Sequence, residues 1–148
     1  MSTSQQELAQ QAVHKFLLIN RHLRLYARQM DDKGIKPKQF SVLRFLAESG
    51  PATVGQVQEF LYNSPSTASA VISQLEEMGY VTRTRSAADN RVVIVEVTAA
   101  GAELAGQTPM GGIPLLRRRI EKLSPERLAN LNAALADLMQ LMEVQDEA

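Results

Sequence analysis

The chain has no cysteine, no net charge and no apolar run of membrane-spanning length, and each absence closes a class of function. Without cysteine there is no disulfide framework. A helical span needs about 20 consecutive apolar residues, and none is present, so no membrane partner is expected. The first residues, 1–11, lack the basic start and apolar core of a secretory signal, which points to the cytoplasm. Sixteen basic side chains balance sixteen acidic ones, so no global positive field advertises a polyanionic partner. His14 and His22 stand eight positions apart, more than two helical turns, and do not make an i, i+4 metal pair. No Ser/His/Asp or Cys/His set and no glycine-rich phosphate loop stands out, so neither an enzyme nor a cofactor is expected. The 148 residues are enough for one domain-sized core.

What is present is concentrated between residues 53 and 98. Thr53 and Gln56 have the spacing of a capping box at the head of a short helix, Val54–Leu61, and Tyr62-Asn63 follow as a turn. Ser64 then caps a second helix with Pro65 at its first position, where a missing N–H costs nothing, and Gly79 marks its end. Ala68, Val71, Ile72 and Leu75 recur at spacings of three and four and face inward. Ser66, Thr67, Ser69, Ala70, Ser73 and Gln74 are left for the outer side. Residues 80–85 and 91–97 are β-rich, with residues 86–90 as a hairpin tip, and Thr98 caps a further helix. Two capped helices, a tight turn and an arginine-bearing hairpin in this order build a winged helix-turn-helix, for which double-stranded DNA is the leading partner.

Gly79-Tyr80-Val81-Thr82-Arg83, then Asp89-Asn90-Arg91, then Val97-Thr98-Ala99-Ala100-Gly101 resemble the ordered signature of the MarR family of bacterial transcription regulators. Leu123-Ser124-Pro125-Glu126 resembles the start of that family's last helix, so the resemblance covers nearly the whole chain. It implies a mainly α fold with a small β-hairpin wing: a winged helix-turn-helix over 35–100, dimerisation helices over 1–34 and 115–148, and a connecting helix with a Gly/Pro-rich hinge over 101–114. It also implies a homodimeric repressor on a pseudo-palindromic operator. Some family members sense peroxides through a thiol, which the lack of cysteine excludes here. A small aromatic or anionic effector between dimer base and DNA-binding lobe is a further implication, with His22, Tyr26, Phe40 and Arg44 as candidate lining residues.

Charge sets the candidate DNA contacts. Residues 53–80 contain no Lys or Arg but do contain Glu59, Glu76 and Glu77, whereas the resembled family often has arginine near the positions of Ala70 and Gln74. Phosphate affinity is therefore expected from Lys36, Lys38, Arg83, Arg85 and Arg91. Base reading falls to Ser66, Thr67, Ser69, Ser73 and Gln74, with Ala70 able to touch a thymine methyl, and the capping Ser64 is counted among the DNA-binding residues. In the family's wing motif, matched by Asp89 and Arg91, the arginine reaches the minor groove and the aspartate orients it; the competing reading is an exposed ion pair that stabilises a turn. The uncharged recognition helix also leaves open a dimeric ligand-binding or protein-interaction module of the same fold.

The ends of the chain carry apolar stripes. Ala12, Phe16, Ile19, Leu23, Tyr26 and Met30, preceded by a capping pair Ser4 and Glu7, follow heptad spacing, as do Leu128, Leu131, Leu135, Leu138 and Met142. These stripes either pack on each other within one chain or interlock with a second copy. Between them Pro109 and Pro114 are expected to break or kink a helix, leaving a plain loop or a hinge. Arg117, Arg118 and Arg119 fan around a helix and read as a solvated basic face.

Overall fold

The computed structural model describes residues 2–62 and 65–146. Its first helix, α1 (Thr3–Asp32), opens on Ser2, whose Oγ accepts from the Gln5 backbone N–H at 3.2 Å, and not on the Ser4/Glu7 pair. Both serines can cap, and the earlier one wins because each residue added to a helix gains a backbone bond, here Gln6 N–H to the Ser2 carbonyl at 2.9 Å. The helix stops at Gly34 (φ 76°), where Gly34 N–H bonds Asp31 O and Ile35 N–H bonds Met30 O. That paired closure needs a left-handed residue, which glycine adopts without a Cβ penalty.

The DNA-binding unit expected from the sequence follows as α2 (Pro37–Ser49), β1 (Ala52–Thr53), α3 (Val54–Leu61), α4 (Pro65–Glu77), β2 (Val81–Arg85) and β3 (Val93–Val97). Both halves of the Thr53/Gln56 capping box form, at 3.1 and 2.9 Å. The Ser64 cap expected for α4 lies outside the described residues. At its other end α4 closes on Gly79 with the same paired geometry, Gly79 N–H to Glu76 O and Tyr80 N–H to Leu75 O. β1 was not anticipated: two residues are too short to read as a strand, and its antiparallel partner β3 is about forty residues away (Ala52 opposite Val95). The sheet runs β1-β3-β2, with Val81 opposite Val97 and Arg85 opposite Val93.

The core is a single cluster in which Ala68, Val71, Ile72 and Leu75, the predicted inner stripe of α4, meet Phe40, Leu43 and Leu46 of α2, Val57 and Leu61 of α3, and Val81 and Val95 of the sheet. Met30 and Ile35 bring the end of α1 into the same cluster. The carboxyl end of the α1 stripe is thus spent within the chain, while Leu8, Val13, Leu17, Leu18 and Ile19 remain 49–63% exposed.

Past the wing the chain forms α5 (Ala99–Gln107), α6 (Gly112–Ile120) and α7 (Pro125–Leu141). The break falls at residues 108–111, where the Thr108 hydroxyl donates to Leu104 O at 2.6 Å and closes α5. Pro109 lies in this break, but Pro114 sits in the first turn of α6, where its missing N–H had no partner to lose. Only one of the two prolines interrupts. The Tyr26 ring covers the glycine pair, since a Cβ on Gly111 or Gly112 would stand 2.8 or 2.6 Å from it.

Of the three arginines of α6, Arg117 departs from the expected solvated face, while Arg118 and Arg119 stay exposed. Arg117 is half-buried: its two Nη groups donate to Phe60 O (2.7 Å) and Leu61 O (3.2 Å), the last carbonyls of α3, and its guanidinium lies 5.3 Å from the Phe60 ring centre. Those carbonyls are orphans of the helix end and carry its partial negative charge, so a cation is the natural partner. Arg118 reaches Glu48 at 3.2 Å.

Candidate nucleic-acid interface

The outer side of α4 is flanked by two openings. One, of about 480 Å³, lies between α4 and the start of α2 and is lined by Lys36, Lys38, Ser66, Thr67, Ala70 and Gln74. The other, of about 750 Å³, lies between α4, the wing and the head of α3, and brings together Ser69, Arg83, Arg85 and Arg91. Ten of the thirteen sequence candidates line these two openings; Ser73 and Asp89 line neither but bond Arg83 and Arg91, and Ser64 lies outside the described residues.

Gln39 sets the geometry of the first opening. Its side-chain oxygen accepts from Lys36 N–H at 2.9 Å, and its Nε2 donates to Gln74 Oε1 at 2.8 Å. With its oxygen engaged, the Gln74 amide presents its nitrogen as a donor. Sequence reasoning missed Gln39, because the partners are 35 positions apart and an N3 glutamine reads only as a local cap. It also missed the wall made by Thr53, Val54 and Gly55 in the second opening, although a capped helix head supplies free amides to an anion and the capping box had located it.

The wing arginines divide their roles. Arg83 turns inward: its Nη2 donates to Ser69 O (2.9 Å) and to the Ser73 hydroxyl (2.6 Å), which ties the first wing strand to α4. Arg85 donates to Asn90 O at 2.7 Å and braces the tip. At the tip Asp89 accepts from both the backbone N–H (3.0 Å) and the Nε (3.2 Å) of Arg91, whose side chain is 91% exposed. The Arg91 backbone N–H, then its guanidinium, holds the Asp89 carboxyl below the usual carboxylate value. An exposed pair contributes little to stability, but it limits the rotamers of a charge that projects beyond the wing.

The four residues proposed to line an effector junction do not meet. Phe40 is fully buried. His22 and Tyr26 line a groove of about 660 Å³ against residues 108–111, whereas Arg44 lines a separate cavity between α2, α3 and α6. The Tyr26 hydroxyl is buried without a well-formed hydrogen bond, and burial raises its pKa, opposed by the Gly111 backbone. Among the described residues no group of acidic, histidine or cysteine side chains could hold a metal ion, and no helix is long and apolar enough to cross a membrane.

Residues 35–93 match the model of the MarR family. The organic hydroperoxide resistance transcriptional regulator of Bacillus subtilis (strain 168) is 31% identical over 117 residues, covering 79% of this chain and 78% of that protein. The uncharacterized HTH-type transcriptional regulator YpoP of the same organism is 36% identical over 73 residues; the match spans 49% of this chain and about half, 52%, of that protein. In fold the chain resembles the YusO protein of Bacillus subtilis (TM-score 0.59, 22% identity, 95% of this chain and 99% of that one). It also resembles the S. aureus MepR chain of a MepR–DNA complex (TM-score 0.60, 20% identity, 87% and 96%). The family and the curated relatives are transcriptional regulators, not enzymes.

Proposed function

The chain belongs to the MarR family, and from that premise we propose that it is a homodimeric, cytoplasmic transcription regulator that represses from a pseudo-palindromic operator, one α4 helix to each half-site. The observation that carries this reading is the polar outer side of α4 set between the lysines at the head of α2 and the Arg85/Arg91 wing. Because α4 has no cation of its own, phosphate affinity comes from its flanks, Lys36, Lys38, Arg85 and Arg91, while Ser66, Thr67, Ser69, Ala70 and Gln74 meet base edges. Arg83 and Ser73 hold helix and wing in register. Arg91 enters the minor groove on either side, where a narrow groove concentrates negative potential.

Dimerisation is supported by apolar surface left at both ends of the chain: Leu8, Leu17 and Ile19 of α1, and Leu135, Leu141 and Met142 at α7, which has no buried residue. Each such side chain gains roughly 1.5–3 kcal/mol on full burial, so a shared pair of stripes outweighs the cost of association. Sedimentation of a chain lacking 128–148 should show loss of the dimer. A small aromatic or anionic effector fits the groove between His22, Tyr26 and residues 108–111, beside the α5/α6 break.

The test is a fluorescence anisotropy titration of the full chain against DNA from upstream of its own gene and against random DNA. Tighter binding to the upstream DNA is expected. Equal, weak binding to both would favour a ligand-binding or protein-interaction module, the reading that the uncharged α4 keeps alive.

A further inference from the structure

A backbone N–H can only donate, and at the head of α2 that fixes the polarity of two side chains in turn. The Lys36 N–H meets the Gln39 side chain, which must therefore offer its carbonyl oxygen, Oε1, at 2.9 Å. The other arm of the same planar amide is Nε2, which faces Gln74 of α4. Gln74 has to offer an acceptor in its turn, its Oε1, at 2.8 Å. Turning over either amide would set donor against donor. Gln39 is only 7% exposed, so an unpaired group there is costly, whereas Gln74 is exposed on the outer side of α4.

We infer that Gln39 is a positioning residue that sets base preference through Gln74, making Gln74 a hydrogen-bond donor to the major groove. The inference rests on the reading of α4 as the helix in that groove. A glutamine free to use both arms pairs with adenine, accepting from N6 and donating to N7. With Oε1 held on the α2 side, the arm left to the groove is Nε2. Its natural partners are acceptors that stand clear of an amino group on the same base, guanine O6 and N7 or thymine O4. Cytosine is disfavoured most, because its N4 amino group would meet the amide donor to donor. Lys36 and Lys38 line the same opening, but their charge suits the phosphates of any sequence alike and does not supply this discrimination.

The test swaps the polarity. In Gln39→Glu the side chain keeps its length and both of its oxygens accept, one from Lys36 N–H and the other from Gln74, whose amide must then turn over and present Oε1 to the groove. Position 39 is the third of α2, where glutamate is a usual capping-box residue and suits the positive end of the helix dipole, so the variant should fold. In the DNA-free full chain with 15N-labelled glutamine, the Gln74 NH2 protons, assigned from Gln74→Ala, should exchange readily in wild type and become protected in Gln39→Glu.

Affinities of wild type, Gln39→Glu and Gln39→Met are then measured by competition anisotropy on DNA from upstream of the gene, each base pair substituted singly. The base pair to which Gln74→Ala becomes indifferent is the one that Gln74 reads. There wild type should favour guanine or thymine over cytosine about tenfold, the scale of one hydrogen bond. Gln39→Glu should favour cytosine or adenine over guanine by a similar factor, and Gln39→Met, which frees both arms of Gln74, should bring adenine level with guanine. The added negative charge weakens binding to every sequence together, so the ratio between bases is what is read. An unchanged preference in Gln39→Glu, a wild-type preference that survives in Gln39→Met, equal losses at every base pair, or Gln74 exchange that is the same in wild type and Gln39→Glu would overturn the proposal. Wild type binding upstream and random DNA alike would overturn the groove reading and the specificity role with it; the exchange data tell that failure from a failure of the Gln39–Gln74 relay itself.

Discussion

Arg117→Met tests whether α6 is bolted to the helix-turn-helix. The substitution keeps an unbranched apolar stem but removes two charge-assisted bonds to the final carbonyls of α3 and the contact with the Phe60 ring. Bonds to charged groups contribute about 1.5–3 kcal/mol each. The bond to Leu61 is long at 3.2 Å and the guanidinium is only half-buried, so the pair together is worth about 2 kcal/mol after allowance for solvent. The ring contact adds about 0.5–1 kcal/mol. A loss near 3 kcal/mol lowers the melting temperature of a chain this size by roughly 6–12 °C. Urea denaturation of wild type, Arg117→Met and Arg117→Lys at one fixed protein concentration is the assay, because the stability of the proposed dimer would depend on concentration. Arg117→Lys should recover less than half, since an ammonium cannot reproduce the fork. A loss below about 0.5 kcal/mol for Arg117→Met, the range of an ordinary surface change, would refute the idea that this arginine ties the two parts together.

Gly101→Ala should destabilise strongly, at the upper end of the 1–3 kcal/mol or so typical of overpacking, because its Cβ would lie 2.2 Å from the Tyr80 carbonyl oxygen, which is backbone and cannot turn away; thermal melts check this. Asp89 should titrate below the ordinary carboxylate value of 3.8 in a carboxyl NMR series. Its folded pKa is depressed, so the small stabilisation it gives is present above that ordinary value and fades as pH falls through the lowered one. Arg91→Ala should restore only part of the shift, because the backbone N–H is the larger cause and stays.

What was legible in the sequence was local. The Thr53/Gln56 box and the Thr98 and Ser124 caps depend on residues three positions apart, the Gly79 closure on residues up to five apart, and the inner stripe of α4 and the wing strands on patterns within one short run of chain, and all formed. What was not legible depends on distant partners. Arg117 bonds residues 56 and 57 positions away, Gln39 finds Gln74 across 35, and β1 is a strand only because β3 comes to lie beside it. Arg83 shows the same limit on a shorter scale: as a cation on a wing it reads as a phosphate contact, but its Nη2 faces the part-buried Ser69 carbonyl and Ser73 hydroxyl, and the nearer acceptors take it. The glycine pair at 111 and 112 read as an interruption in a helix, whereas its packing role against Tyr26 needed the α1 end in place.

The central claim, that DNA is held by the flanks of an uncharged recognition helix, is tested most directly by the salt dependence of binding to the protein's own upstream DNA, wild type against Arg91→Ala. Each neutralised phosphate contributes about 0.9 to the slope of log affinity against log salt, and the proposed dimer would present two wing tips. The expected result is weaker binding at every salt concentration and a slope shallower by about two units, with the melting temperature nearly unchanged because the Arg91 side chain is exposed. Superimposable affinities and slopes for the two proteins across the series would contradict it.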